Sequence, residues 1–561
     1  MSIFGSGEVI YSQDPPSPPE PEPVPPPTEP TEPPAPAPPP TAVVPTPPAN
    51  PHLVMWILGI LLGLVAIYSL WAVTLGWGNT LYSDRHQFRQ TQTAISCFYM
   101  MQDGFSVDYQ TPLLGPPWKV PFEFPFYHWV VIAIAKVMST SLDGSGRAAS
   151  VLFFALTLLP AWVMLAAMNV RRGLRLIFLT LLVVSPFYIF WSRAFMIESA
   201  AVCLSASYAA CVMYYAAARA KGRPIKSVAY LVVLAVLFGV LAAMVKITTV
   251  LGFGVATAIF VGKDLFTWPI PKFNLNRWLR GGVLLAISGG IPMVAGMMWT
   301  HHADAIKAQA PMTQPMMSNS TQLSAWTFGK PGQRGDLSTW TMIFARAGTV
   351  LSTNSVLWFG CVATLIITRR RWKEATACLV LYLISPLVFV NLHWEHDYYM
   401  YANGIFLVAA VGFCVLGIFE TPRGMAIGVA AMGVVVAASI VQYCTLYYPM
   451  QANNNKSLDP LIQAIKDKVP SDGSVIYLGL DWDPTIPYYT RRRAIMIPGW
   501  LTEEQVRAAI PTWKDANVGA MVIVHPDAAG PTPAFVYELM GKNGFDMNKL
   551  PVINLNRTAP Q

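Results

Sequence analysis

The chain has 561 residues, of which 54% are hydrophobic and only 12% charged, and its mean hydropathy is +0.43. A soluble protein carries about 25% charged residues, so the composition excludes a soluble enzyme and predicts a mainly α, polytopic helical membrane protein. The net charge of +8 is uneven: residues 1–52 carry six acids and no Lys or Arg, and residues 451–561 carry eleven of each sign. The positive surplus therefore lies between them, where it marks membrane topology rather than a nucleic-acid surface.

Residues 1–52 contain 20 of the 48 prolines. Such a stretch cannot build a core and predicts a disordered, extended tail. Eleven apolar runs follow, at 53–75, 147–169, 174–191, 199–217, 227–244, 248–262, 281–299, 348–368, 374–392, 403–420 and 424–446. Most approach the length that a bilayer crossing needs. The shorter run at 126–138 carries His128 and Lys136. If it lies on the membrane surface and residue 1 is cytoplasmic, sixteen Lys and Arg fall in cytoplasmic loops. The short outer loops then hold only Arg193 and Lys246. The positive-inside rule thus predicts eleven spans, a cytoplasmic N-terminus and an extracytoplasmic C-terminus. Segment 76–146 becomes a long outer loop with interfacial helices near 86–102 and 123–138. Segment 300–347 becomes a second outer loop, expected as a mobile lid.

Residues 451–561 read as a soluble α/β domain. Leu461–Lys468 and Glu503–Ile510 have helical patterning, whereas Ser474–Gly479 and Ala520–Val524 are apolar runs of strand length. Seven cysteines lie in or beside the apolar runs, with no CxxC spacing. They predict buried thiols, without a disulfide framework or zinc site.

The first polar stretch after span one, Tyr82-Ser83-Asp84-Arg85-His86-Gln87-Phe88-Arg89-Gln90-Thr91-Gln92, places an acid, two arginines and a histidine at the edge of the hydrocarbon layer. Polar groups there are expensive unless they bind something polar. The same topology brings further groups to this face: Glu123, Arg147, Arg193, Glu198, Lys246, His301, His302, His393, Glu395, His396, Asp397, Tyr398 and Tyr399. Acids that accept protons are mixed with cations that can hold phosphate. Sugar transfer from a lipid phosphate needs both, a base for the acceptor hydroxyl and positive charge for the departing phosphate. Each group also has a structural reading: Asp84 as a helix cap, Arg147 and Lys246 as snorkelling anchors, Arg193 and Glu198 as an ion pair. The run His393-Trp394-Glu395-His396-Asp397 offers metal-ligand types, but neighbours on a short loop rarely converge on one ion, and no metal site is assigned.

The order of these features resembles the GT-C glycosyltransferases, in particular the group containing the protein O-mannosyltransferases and the lipid A aminoarabinose transferases. The matching positions are the first-loop acid Asp84, Glu123 before Phe124-Pro125, Arg147 before Ala148-Ala149-Ser150, Arg193 with Glu198, Lys246 after span five, and His396-Asp397-Tyr398-Tyr399. The family's Asp-Glu after span one is Asp84-Arg85 here, and Glu198 stands where Asp is usual. The resemblance covers residues 53–450. It implies transfer of a monosaccharide, with inversion, from a polyprenyl-phosphate donor to an envelope glycan, lipid or protein outside the cytoplasmic membrane. It casts the carboxylates Asp84, Glu123 and Glu198 as catalytic, with Asp84 as the base. Arg85, Arg89, Gln90, Arg147, Arg193, Lys246, His396, Tyr398 and Tyr399 are cast as holding lipid phosphate or sugar. No cofactor is firmly implied, and a divalent cation is compatible with the site. An O-antigen polymerase or ligase, a transporter, and a scaffold presenting 451–561 are the rival functions. The transporter would want broken helices and repeats across the midplane, whereas the polar groups here gather at one face.

Overall fold

The computed structural model describes residues 51–263, 275–352, 360–362, 368–422, 424–524 and 530–555. The proline-rich tail, apart from its last two residues, and most of the apolar run 348–368 lie outside them. Seven described helices are long and apolar enough to cross a membrane. In chain order the helices of the membrane region are α1 (Pro51–Thr74), α2 (Gln87–Asp103), α3 (Phe126–Met138), α4 (Leu142–Ala167), α5 (Arg172–Val184), α6 (Pro186–Trp191), α7 (Glu198–Ala220), α8 (Ala229–Val261), α9 (Leu275–Leu285), α10 (Ile291–Lys307), α11 (Thr321–Phe328), α12 (Leu337–Ala347), α13 (Trp372–Val388), α14 (Val390–Glu395), α15 (Met400–Phe419) and α16 (Gly424–Gln442). Leu64, Ile67, Leu159, Val233, Met298 and Val434 are each 60% exposed or more. Apolar side chains left open on uncharged helix faces are what a lipid solvent wants.

Three departures from the expected spans have local causes. The run 174–191 divides into α5 and α6, because Pro186 has no N–H to continue the helix and the Ser185 side chain caps the new start at Tyr188 N. The run 281–299 extends from 275 to 307 through a π-turn at Ala286–Gly290. The runs 227–244 and 248–262 share one hydrogen-bonded element, α8, whose backbone is extended at Lys246 (φ −161°, ψ 91°). A Cβ on Gly239 would lie 3.2 Å from Tyr208 Cδ2, and Thr257 Oγ1 lies 3.2 Å from the Tyr208 hydroxyl. A straight helix would separate residues 239 and 257 by about 27 Å. The chain therefore folds back at Lys246, with two arms on either side. Segment 300–347 is folded, with α10 running on to Lys307 and α11 and α12 following. Six cysteines are buried or partly buried, but Cys444 is exposed, on an apolar helix face.

The chain continues through α17 (Tyr448–Ala452), α18 (Asp459–Lys468), β1 (Ser474–Leu478), α19 (Thr485–Thr490), β2 (Arg493–Ile497), α20 (Glu503–Ala509), β3 (Val518–Val524), α21 (Pro533–Lys542) and β4 (Val552–Leu555). The four strands form a parallel sheet in the order β2-β1-β3-β4. Residues 112–114 complete its edge. Leu114 bridges Ile495 in antiparallel sense, while Ala494 N and Met496 N donate to Pro112 O (2.9 Å) and Leu113 O (2.8 Å). This pairing covers donors that an open edge would leave to solvent. One apolar core runs through both regions, joining Leu113, Leu114 and Val120 to Val475, Ile495 and Trp513.

Candidate active site

The site begins where α1 ends. Gly76 has φ +62°, and a Cβ there would meet Gln451 O at 2.1 Å, so glycine is required. Its carbonyl accepts from Arg193 Nη2 at 3.0 Å. The Arg147 guanidinium, fully buried in the first turns of α4, gathers the rest of the turn. Nη1 donates to Trp77 O (2.6 Å) and Asn79 O (2.7 Å), and Nη2 to Asp84 Oδ2 (2.7 Å). Arg193 stands 4.0 Å from the same carboxylate oxygen. No hydrogen bond reaches Asp84 Oδ1 among the described residues. Asp84, Gln90, Phe190, Trp191, Arg193 and Ala194 line a cavity of about 10 Å³, room for about one water.

Two residues on, His86 takes a left-handed conformation (φ 54°, ψ 44°) that starts α2. A non-glycine residue held there costs about 1–2 kcal/mol, and such strain gathers at functional sites. The His86 ring is fixed by Asp397, with Nε2 2.9 Å from Oδ1. Arg85 reaches the other oxygen of Asp397 at 3.1 Å while its side chain stays 43% exposed. Trp191, His396 and Tyr398 surround His86, with ring centroids 5.5, 5.0 and 5.1 Å away. Arg346 donates to the backbone behind them at His393 O (2.6 Å).

A third group lies one turn further along α2. Arg89 pairs with Glu123 and donates to Gln92 Oε1 at 2.8 Å. Burial pushes the Glu123 carboxyl up, but the Arg89 guanidinium and then His128 outweigh it, so the pKa falls below the ordinary range. Lys246, presented by the break in α8, lies 2.6 Å from Glu198 Oε1 and 4.6 Å from the Tyr399 ring centroid. Tyr398 stacks on both Tyr399 and His396, which joins this group to the second. Several buried polar atoms lack partners among the described residues: Glu198 Oε2, Trp191 Nε1 and the Nε atoms of Arg147 and Arg193. Buried polar atoms are nearly always satisfied, so unsatisfied ones in the same neighbourhood mark a place for a polar guest.

No protein-family model and no curated protein matches the chain. Solved structures do. ArnT from Cupriavidus metallidurans bound to undecaprenyl phosphate aligns with a TM-score of 0.55 at 13% identity, covering 84% of this chain and 90% of that one. The archaeal oligosaccharyltransferase AglB from Archaeoglobus fulgidus, in complex with an inhibitory peptide and a dolichol-phosphate, aligns with a TM-score of 0.50 at 10% identity, covering 82% and 68%.

The chain has the GT-C fold.

Within this GT-C fold, the twelve residues singled out from the sequence lie in one neighbourhood, but their partners follow no chain proximity. Arg85 and Arg89 turn to Asp397 and Glu123, and it is Arg147 that holds Asp84. Arg147 and Arg193 spend their guanidinium groups on the 76–84 turn. Gln90 is 1% exposed, and its amide links Arg85 O (3.1 Å) to Phe195 N (3.0 Å). It braces the site from beneath. The cations presented with more open surroundings are Arg85, Arg89 and Lys246. His86 and Asp397 stand among the outer-face groups in sequence but acquire a shared role only through their contact. Arg346 and Trp191 carry no sequence signal, since a lone Arg at a helix end and an aromatic in an apolar run are ordinary features.

Proposed function

We propose that the chain is an integral-membrane glycosyltransferase that moves a monosaccharide from a polyprenyl-phosphate donor to an acceptor hydroxyl, using the Asp84 site. The observation that carries this reading is Asp84 itself. Arg147 fixes one carboxylate oxygen, and the other accepts no hydrogen bond among the described residues, on the face that also presents Arg85, Arg89 and Lys246. The lipid phosphates named with the two similar structures, undecaprenyl phosphate and dolichol-phosphate, support a lipid-phosphate donor.

Asp84 Oδ1 takes the proton of the acceptor hydroxyl as that oxygen attacks the anomeric carbon. The bond from that carbon to the phosphate oxygen breaks, and its electron pair leaves with the lipid phosphate. Positive charge placed where negative charge develops stabilises this transition state without reorganisation. Arg85, Arg89 and Lys246 supply it. Glu123 and Glu198 hold Arg89 and Lys246 in place, and His396, Tyr398 and Tyr399 form an aromatic wall for the sugar. The reading includes a cytoplasmic-membrane location, a cytoplasmic tail at 1–52, a catalytic region at 53–450 and an extracytoplasmic 451–561. The acceptor class is an envelope glycan, lipid or protein.

Purified protein in lipid nanodiscs, given synthetic polyprenyl-phosphate monosaccharides and envelope extracts, should release polyprenyl phosphate. Consumption of polyprenyl-diphosphate glycans alone, or of neither donor, overturns the proposal.

A further inference from the structure

The first outer loop is tied to residues 451–489 almost residue by residue. Asn79 Nδ2 donates to Gln451 O and Asn453 O, both at 3.0 Å. The Leu81 N–H donates to the Tyr489 hydroxyl at 2.6 Å. Tyr82 donates to Asp459, and Ser83 Oγ donates to Asn455 O at 2.9 Å. Gln451, itself fully buried, also closes the end of α1 by donating to Ala72 O at 2.9 Å.

Tyr489 is the centre of this seam. Its hydroxyl accepts from Leu81 N and donates to Asp143 Oδ2 at 2.7 Å. Asp143 lies one turn before Arg147 on α4. The Leu81 carbonyl in turn accepts the Asp84 N–H at 3.1 Å. Hydrogen bonds thus link α4 through Tyr489 to the N–H of Leu81, whose carbonyl holds the Asp84 N–H, while Arg147 of the same helix holds the Asp84 carboxylate. Tyr488 offers an internal comparison. It donates to the other oxygen of Asp143 but, among the described residues, makes no hydrogen bond to residues 79–84.

We propose that Tyr489 is a positioning residue for Asp84, and that residues 451–489 serve as the jig that sets the first outer loop. This rests on the reading of Asp84 as the base. A phenol can satisfy the buried Leu81 N–H and the Asp143 carboxylate together. Phenylalanine keeps the packing, including the edge contact with Tyr82 (ring centroids 5.1 Å apart), but leaves the N–H without an acceptor. Small misplacements of a base far outweigh the loss of one hydrogen bond, because transfer demands near-attack geometry.

The test compares Tyr489→Phe with Tyr488→Phe in full-length protein, by steady-state kinetics and by amide hydrogen exchange of peptides covering 79–84. Tyr489→Phe should lower kcat about tenfold with the donor KM unchanged and speed exchange in 79–84, whereas Tyr488→Phe should do neither. Wild-type kcat in Tyr489→Phe overturns the proposal, whether or not exchange rises. Equal effects of the two variants overturn it also, since they would report loss of Asp143 bonding alone. If wild-type protein turns over no polyprenyl-phosphate sugar, the proposed function fails. The exchange difference then still decides whether Tyr489 holds the loop.

Discussion

Arg147→Met separates the load that Arg147 carries from the chemistry beside it. Methionine keeps most of the aliphatic stem and removes three charge-assisted hydrogen bonds, two to the carbonyls of Trp77 and Asn79 and one to Asp84. Removing one member of a buried ion pair costs about 3–5 kcal/mol, mostly for the charge left behind. Arg193 remains 4.0 Å from the same oxygen and offsets part of that, so the expected loss lies near the lower figure. Adding Asp84→Asn should then recover about 0.5–3 kcal/mol, the usual size of coupling between contacting residues. Stability can be followed by thermal unfolding of a fluorescently tagged protein in detergent, with the four members of the cycle measured together. A single variant within about 0.5 kcal/mol of wild type, the range of an ordinary surface change, would refute the argument. So would strict additivity in the double variant.

Lys246→Ala and Arg89→Ala leave Glu198 and Glu123 without their partners. Each should weaken donor binding or turnover by about 2–5 kcal/mol, and normal affinity and rate in both would place the phosphate site elsewhere. Burial, then the neighbouring His86, holds His396 down to about 4 from its usual 6.5. Between those values the unfolded chain binds a proton that the folded chain refuses, so stability should fall as pH drops from about 6.5 to 4 and be recovered above that window. His396→Gln should flatten this acid limb in thermal unfolding at pH 4.5 and 7, and an unchanged slope would exclude His396 as its source.

Periodicity and length made most of the apolar helices legible, along with the short helices at Gln87–Asp103 and Phe126–Met138 and the strands β1 and β3. Lys and Arg placement predicted a shared face for polar groups that the structure joins by contact, among them Asp84, Arg147, Glu198 and Lys246. What the sequence could not supply was pairing. Asp84, Arg85 and Arg89 are near neighbours in chain, yet they turn to Arg147, Asp397 and Glu123. The left-handed residue at His86 and the helix after it aim successive side chains in different directions. The seam with residues 451–489 was hidden for a related reason. Asn455, Asp459 and Tyr489 meet the loop through single polar atoms and leave no periodic pattern. The edge segment 112–115 has the look of a proline-rich connection.

The most direct measurement is single-turnover transfer by Asp84→Asn, made beside donor affinity and thermal unfolding of the same sample. Asparagine keeps the shape and an acceptor oxygen for Arg147 but cannot take the hydroxyl proton. The proposal predicts a folded protein that binds donor with little change and transfers sugar about a hundredfold more slowly or worse, the share a general base supplies. Transfer within about a factor of two of wild type would contradict it, leaving Asp84 as a fastening for the loop and the base to be sought at Glu123 or Glu198.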